Sequence, residues 1–582
     1  MARYRRATAE VLYTDKFRGL DLTEGEKNSF SSSVYMKNFT VTENYRLKKR
    51  CGYKKLADGI RADSCYHCVI GGADRFIYKN GSVMHALTLP ECTDTVFDCG
   101  NDARVGYFSF GGAAYAVGRG IFLRFDGVSF THVKAYVPKI AVACSPSGGG
   151  TVLESLNVLS DKARISYSPD GVSTGYVLPS SAASVVSVTE NGAELSPGSY
   201  SYDRESRTLS FPSPPAGGVP DSLEVTFRLA DGVVSSMPEP GDKFCVYGGD
   251  RDTRVFAYGK DGVLRYSDVT YTGADPSYFP ADNFITVGDG SERVTAAVRH
   301  YDRLIVFTER QTWFLSPSAV TYDGVSKPSF PLSPLNHVVG CAGGGAAYAD
   351  NSPFTLSYDG IYVFGQSTVR DERGAKRISD RIAPYLSPAF LAHAAVHDHE
   401  RQREIWMCYG GTAVIYNYGL DVFYCYDNVP AVYPFSLGEN AAFFSGSALY
   451  AFDRTARDDD GVEIDACCET SDAVLDRTVK RRRLRRAGVV FTAENGAAVK
   501  LVIIPNRGDT KRLIFYGAPY DGGFDFGSVD FGHLSFLCGR KPVHTEQRIP
   551  LSSFESLKLR IECGGDGRDV TVSSVSLTVD GA

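Results

Sequence analysis

The chain has 582 residues, 43% hydrophobic and 22% charged, with 68 acidic against 62 basic side chains and a formal net charge of −6. That balance suits a folded chain with a sizeable core and a length sufficient for three or four domains. It excludes an affinity-driven nucleic-acid binder, which needs a basic surplus to displace phosphate counterions, but not a conduit past which nucleic acid slides.

The 34 Tyr, 34 Phe and 59 Gly favour strands and tight turns over helices. The start is basic at Arg3, Arg5 and Arg6, yet no apolar stretch follows, so no signal peptide is expected. No apolar run reaches the length of a membrane-spanning helix. The 14 Cys, such as Cys245, Cys408, Cys425 and Cys538, lie mostly in apolar runs and read as reduced core residues.

Residues 1–60 are expected to form an N-terminal arm and platform strands, with a strand, a turn at Glu43-Asn44 and a basic strand in the second half. From residue 61 a repeated grammar begins: short aromatic or β-branched runs, each closed by a Gly or Asp turn. Residues 75–81 (RFIYKNG), 254–266, 303–315, 354–364 and 404–426 all follow it. One such sheet cannot bury itself, whereas radial stacking of several can, so a β-propeller is expected over 61–140 and 236–455. Between these lies a different β pattern. It opens at the linker-like 144–150 (CSPSGGG) and carries an Asn191-Gly192 hairpin signal, so 141–235 reads as an inserted β-sandwich-like domain. Ser379, Asp380 and the apolar positions through Leu391 predict one helix, interrupted at Pro384. Period-two alternation at 486–491, 499–504, 557–561 and 570–579 predicts a C-terminal β-sandwich over 456–582. The expected class is therefore all-β: a propeller, an inserted small β-domain and a C-terminal sandwich.

Chemistry-bearing groups are sparse. His393, His397 and His399 cluster with Asp398 and Glu400, but the charged run 397–403 before a strand reads as a hairpin tip. Cys65 and Cys68 form a C-x-x-C, yet the accompanying Cys92 and Cys99 are too widely spaced for a second zinc pair. Asp458, Asp459 and Asp460 lack the remaining ligands of a calcium loop and read as a solvated linker. Residues 167–171 (YSPDG) are one imperfect copy of a sialidase-type Asp-box turn. No nucleophile elbow, P-loop or zincin motif occurs. No catalytic residue, metal ligand or cofactor is therefore assigned. The densest basic run, Lys480, Arg481, Arg482, Arg483, Arg485 and Arg486, would grip phosphate or an acidic partner, or else protect an exposed edge strand.

Several segments together resemble the tail nozzle, or tail tubular protein B, family of short-tailed bacteriophages. They are 17–22 (FRGLDL), 35–39 (YMKNF) and 47–53 (LKKRCGY), then 266–268, 275–279, 285–288, 294–296, 302–307 and 312–315. The match continues through 340–341, 356–364 (LSYDGIYVF), 413–417, 422–424, 525–527 and 548–561. Cys51 departs from the family, which often has Pro there. The resemblance implies a hexameric ring below the portal and adaptor proteins, a channel for ejected DNA touched only transiently, and docking surfaces for tail fibres or spikes. It implies a virion tail protein assembled in the host bacterial cytoplasm, with no enzymatic activity. Tyr35, Phe39, Lys48, Lys49, Arg50 and Tyr53 are the candidate assembly arm on this reading. The alternatives are a distal-tail propeller that binds host-surface glycan and, further off, a propeller glycosidase.

Overall fold

Alternation of buried and exposed residues along short runs forces pleated strands, and almost every element of the computed structural model is one. The structure describes residues 9–23, 30–238, 241–249, 251–270, 273–322, 325–349, 352–366, 373–474, 481–494, 497–517, 542–564 and 568–580. Among the described residues the α-helices are two short ones, Asp231–Ser236 and Pro388–His393. The fold is all-β. It divides into two units, one of residues 62–89 and 93–341, the other of 1–61, 90–92 and 342–582.

The first unit holds four four-stranded antiparallel sheets, spanning 64–98, 105–132, 243–286 and 294–336. In the first two, consecutive strands pair in order. In the last two, a two-stranded hairpin leaves the sheet between its third and fourth strands. The turns explain the sequence grammar. At Gly111-Gly112, which joins Phe110 to Ala113 across the ladder, φ is +56° and +78°. Such two-residue turns need positive φ at both positions, which glycine adopts without a Cβ clash. Asn191-Gly192 does the same inside the inserted region, at +50° and +81°.

That inserted region pairs a six-stranded sheet, which includes Lys139–Cys144, Lys162–Tyr167, Ala182–Glu190 and Leu223–Leu229, with a three-stranded one of Gly175–Val177, Ser201–Asp203 and Thr208–Ser210. Its core is its own: every buried member, from Cys144 to Leu229, comes from the insertion. Tyr167 and Tyr176 are fully buried there, and the Tyr167 hydroxyl donates to the Val177 carbonyl at 2.7 Å. The Asp-box-like turn proves to be a local cap. Asp170 accepts from the Val172 and Ser173 amides at 2.8 and 2.7 Å and from the Ser173 hydroxyl at 2.6 Å.

The second unit holds two further four-stranded sheets of this kind, at 346–377 and 395–426, and a related sheet built on 433–452. The last has only three consecutive strands of its own. Its fourth is Tyr53–Ala57, supplied from near the N-terminus and paired with Leu449–Phe452, and the short strands Asp458–Asp459 and Val462–Glu463 bring it to six. Two further six-stranded sheets, with longer strands, complete this unit. One joins Phe39–Val41, Leu47–Lys49, Val570–Asp580, Arg482–Ala493 and Val543–Phe554, with Ala9–Thr14 along Val570–Asp580. The other joins Ser33–Lys37, Ala466–Thr470, Ser556–Cys563, Ala498–Pro505 and Lys511–Tyr516. Alternate residues of both, such as Leu484, Val489, Leu577, Leu501 and Ile561, share one core.

The first 60 residues do not form a separate arm among the described residues; their strands are woven into three sheets of this unit. The helix read at 379–391 is divided into two turns, Ser379–Tyr385 and Pro388–His393, as the position of Pro384 foretold. Pro384 carries no amide for a continuing helix. Ser387 caps the second turn by accepting from the Phe390 amide at 3.1 Å, while the Ser379 hydroxyl accepts from Ile361 of the neighbouring strand.

Candidate functional site

The strand Leu47–Lys49 alternates buried, exposed, buried, which turns Leu47 and Lys49 to one face and Lys48 to the other. Leu47 enters the core, and Lys49 follows it inward with only 3% of its surface exposed. Arg50 is buried next to it and spends all five guanidinium N–H groups. It bonds Asn38 Oδ1 at 2.8 Å, the carbonyls of Cys51 and Asp427 at 3.1 and 2.9 Å, and both oxygens of Asp459 at 2.7 and 2.6 Å. The Arg50–Asp459 pair is 2% and 1% exposed. The Arg50 guanidinium also lies over the Tyr426 and Phe452 rings, 5.4 and 5.9 Å from their centroids.

These residues border a cavity of about 180 Å³ within this unit. Trp406, Tyr426 and Phe452 supply aromatic wall, and Glu404 supplies a buried carboxyl. Glu404 accepts from the Trp406 indole at 2.9 Å and from the Tyr424 hydroxyl. Burial pushes its pKa up against the opposing pull of those two donors. The charged lining is lopsided: Lys48, Lys49, Arg50, Arg454, Arg457 and Arg568 face only Glu404 and Asp569. Arg457 is paired with Glu494 at 2.7 Å, and Arg50 with Asp459. Lys48, Lys49 and Arg454 make no side-chain hydrogen bond or ion pair among the described residues.

The residues singled out in the sequence are not gathered into one site. Of the candidate arm, Phe39, Lys49, Arg50 and Tyr53 are interior, while Tyr35 is 42% exposed and Lys48 is exposed. Side chains buried in their own chain present nothing to a neighbour, which leaves Tyr35 and Lys48 as the exposed members of that set. In the basic run, Lys480 lies outside the described residues. The rest is split by strand alternation and partly neutralised. Arg482 is buried and bonds Glu10 at 2.6 Å; Arg481, Arg483, Arg485 and Arg486 are exposed, with Arg486 bonded to Glu546 at 3.1 Å and Arg485 to Asp580.

The strand Ala395–His399 continues through His399, so His397 and His399 do share a face, and both ring nitrogens approach Ser436 Oγ, at 2.8 and 2.7 Å. His393 is exposed at the end of its helix. No group of potential metal ligands occurs among the described residues. Burial pushes the Cys65 and Cys68 thiols up to about 12, the reverse of what a thiolate ligand or redox cysteine requires. The described cysteines are free thiols. Asp458–Asp459 and Val462–Glu463 form a hairpin, so the expected solvated linker instead delivers Asp459 to Arg50.

Sequence reasoning missed Glu404, Arg454, Arg457 and Arg568. Only Glu404 carried a signal, as a carboxylate opening an otherwise apolar strand, Glu404–Tyr409. Among the described residues no helix is long and apolar enough to cross a membrane.

No protein-family model matches this chain, and no curated protein matches it. Among solved structures, the extracellular domain of a putative one-component system from B. thetaiotaomicron is 9% identical, with TM-score 0.27, covering 93% of this chain and 64% of its own. The chain thus spans less than two thirds of that structure's length. An exo-β-1,3-galactanase from Phanerochaete chrysosporium with galactose is 8% identical, with TM-score 0.20, covering 91% of this chain and 100% of its own. Likenesses this slight carry no argument about fold or function.

Proposed function

We propose that the chain is a structural subunit of a bacteriophage tail nozzle, a six-membered ring through which DNA is ejected and to which fibres or spikes dock. In this reading the seven small sheets are blades of a β-propeller, and the paired sheets of longer strands are its C-terminal sandwich. The observation that carries the proposal is the strand Tyr53–Ala57, which completes the sheet begun at Tyr433. A late sheet tied to the chain's beginning resists opening under load, as a conduit beneath packaged DNA requires. The mildly acidic balance lets a polyanion pass without lasting phosphate contacts.

The subunit performs no reaction of its own. Its partners are copies of itself, the portal-adaptor proteins above, fibre or spike proteins, and DNA in transit. Its place is the virion tail, assembled in the host bacterial cytoplasm. Ring assembly is head-to-tail, with two different faces per subunit. The inserted domain is proposed as one such surface because its self-contained core leaves its outside free to vary.

The test is the mass and image of the purified full chain. A closed ring near six times the chain mass is expected. A stable monomer that binds bacterial glycan would replace the nozzle by a receptor-binding module. Turnover of a polysaccharide, lost on a single carboxylate change, would replace it by an enzyme.

A further inference from the structure

The basic cavity bordered by Lys49 is used by nothing in the proposed conduit. An ammonium removed from water without a counter-ion is costly, and buried charges are ordinarily paired. Lys49 is 3% exposed as a residue, its side chain makes no hydrogen bond or ion pair among the described residues, and its ammonium keeps some exposure where it borders the cavity. Neither lining carboxylate provides one. Both oxygens of Glu404 are occupied by Tyr424 and Trp406, and no ion pair joins Asp569 to Lys49. Arg454, exposed and without an ion pair among the described residues, adds a second cation to the same walls.

We propose that this cavity is a binding site for a small phosphate-class oxyanion, held by Lys49 together with Arg454. The chemistry follows from the donors. Lysine brings a compact charge with three hydrogens, and arginine a planar fork that fits two oxygens of one anion. Size follows from the cavity. Its roughly 180 Å³ lies below the about 300 Å³ at which drug-sized ligand sites begin, so it takes a free ion or a single phosphate group rather than a length of nucleic acid. The anion would then act as an internal counter-ion. It would tie Leu47–Lys49 to the loop carrying Arg454 and stabilise the fold in proportion to its concentration.

The test is calorimetric titration of the full chain with inorganic phosphate, at ionic strength held constant with chloride. Saturable binding near one site per chain is expected. Lys49→Met is expected to weaken it at least about tenfold, the loss of one charged hydrogen bond. Arg454→Gln, a change at an exposed position, should weaken it several-fold and stands in if Lys49→Met does not fold. In thermal melts the midpoint of the native chain should rise with phosphate beyond the rise that excluded salts give any protein, and that excess should vanish in Lys49→Met. Absence of saturable heat, or equal affinity in native chain and variants, would overturn the assignment. A short single-stranded oligonucleotide serves as a second arm. It is expected not to displace phosphate; oligonucleotide binding lost in Lys49→Met, with no binding of phosphate itself, would also overturn it. Ring formation, measured on the same samples, is independent of either result.

Discussion

Arg50 and Asp459 show how a side chain that looks like surface chemistry becomes interior structure. Their ion pair is bidentate and almost fully buried, so its desolvation is offset only while both partners are present. Arg50→Met should therefore cost about 3–5 kcal/mol by stranding the Asp459 carboxylate. Arg50→Met combined with Asp459→Leu should recover much of that loss. Denaturant midpoints of the single and double variants check this, and equal destabilisation in both would refute it. Asp398 supplies a pH dependence. Burial first, and the nearby Glu400 charge second, raise its pKa from 3.8 to about 7, and its Oδ1 is buried without a partner. The folded state therefore holds a proton that the unfolded state has released. Stability contributed by this group is highest below that window and falls as pH rises through it. Asp398→Asn should flatten the fall and stabilise the chain above the window by on the order of 1 kcal/mol, after allowance for partial exposure. Urea midpoints on both sides of the window decide; an equal shift on both sides would count against it.

The strand Tyr53–Ala57 links distant sequence most directly. Tyr53 anchors it, with ring centroids 5.1, 5.2 and 5.5 Å from Phe443, Tyr450 and Phe452 and its hydroxyl donating to the Asn428 carbonyl at 2.7 Å. Tyr53→Ala removes a buried aromatic and a satisfied donor, for an expected loss of about 3–5 kcal/mol. Amide exchange in Leu449–Phe452 should accelerate more than in the other strands of its sheet, and unchanged protection there would show that the pairing does not depend on this residue. The strands themselves were legible, since alternation and glycine turns act within a few residues. The anchoring of Tyr53 was not, because its neighbours lie nearly 400 positions away. The divided helix at 379–393 was partly legible, since Pro384 announced the break but not which serine would cap.

At the scale of the whole chain, the inserted region is the part most nearly independent. Its core draws no buried residue from outside the span 144–229, and its first and last strands both flank Lys162–Tyr167. A fragment covering 138–238 should therefore fold alone and melt cooperatively, with the near-ultraviolet signal expected of fixed Tyr167 and Tyr176 rings. A gradual melt without that signal would show that it borrows stability from elsewhere. The first 60 residues are the opposite case. Their strands complete three sheets whose other members lie beyond residue 430, so shortening the chain from its start should unravel the second unit rather than trim an arm.

The amino-acid order alone determined the all-β class, the positions of most hairpins and the start of a differently patterned insertion. Period-two burial and positive-φ turns are local, and their cause lies in adjacent residues. Tertiary structure decided which charges meet: Arg50 with Asp459, Arg482 with Glu10, and Lys49 with an empty-sided basic cavity. A charge's partner is set by distance through space and by the water removed around it, and neither quantity is written in the spacing of residues along the chain.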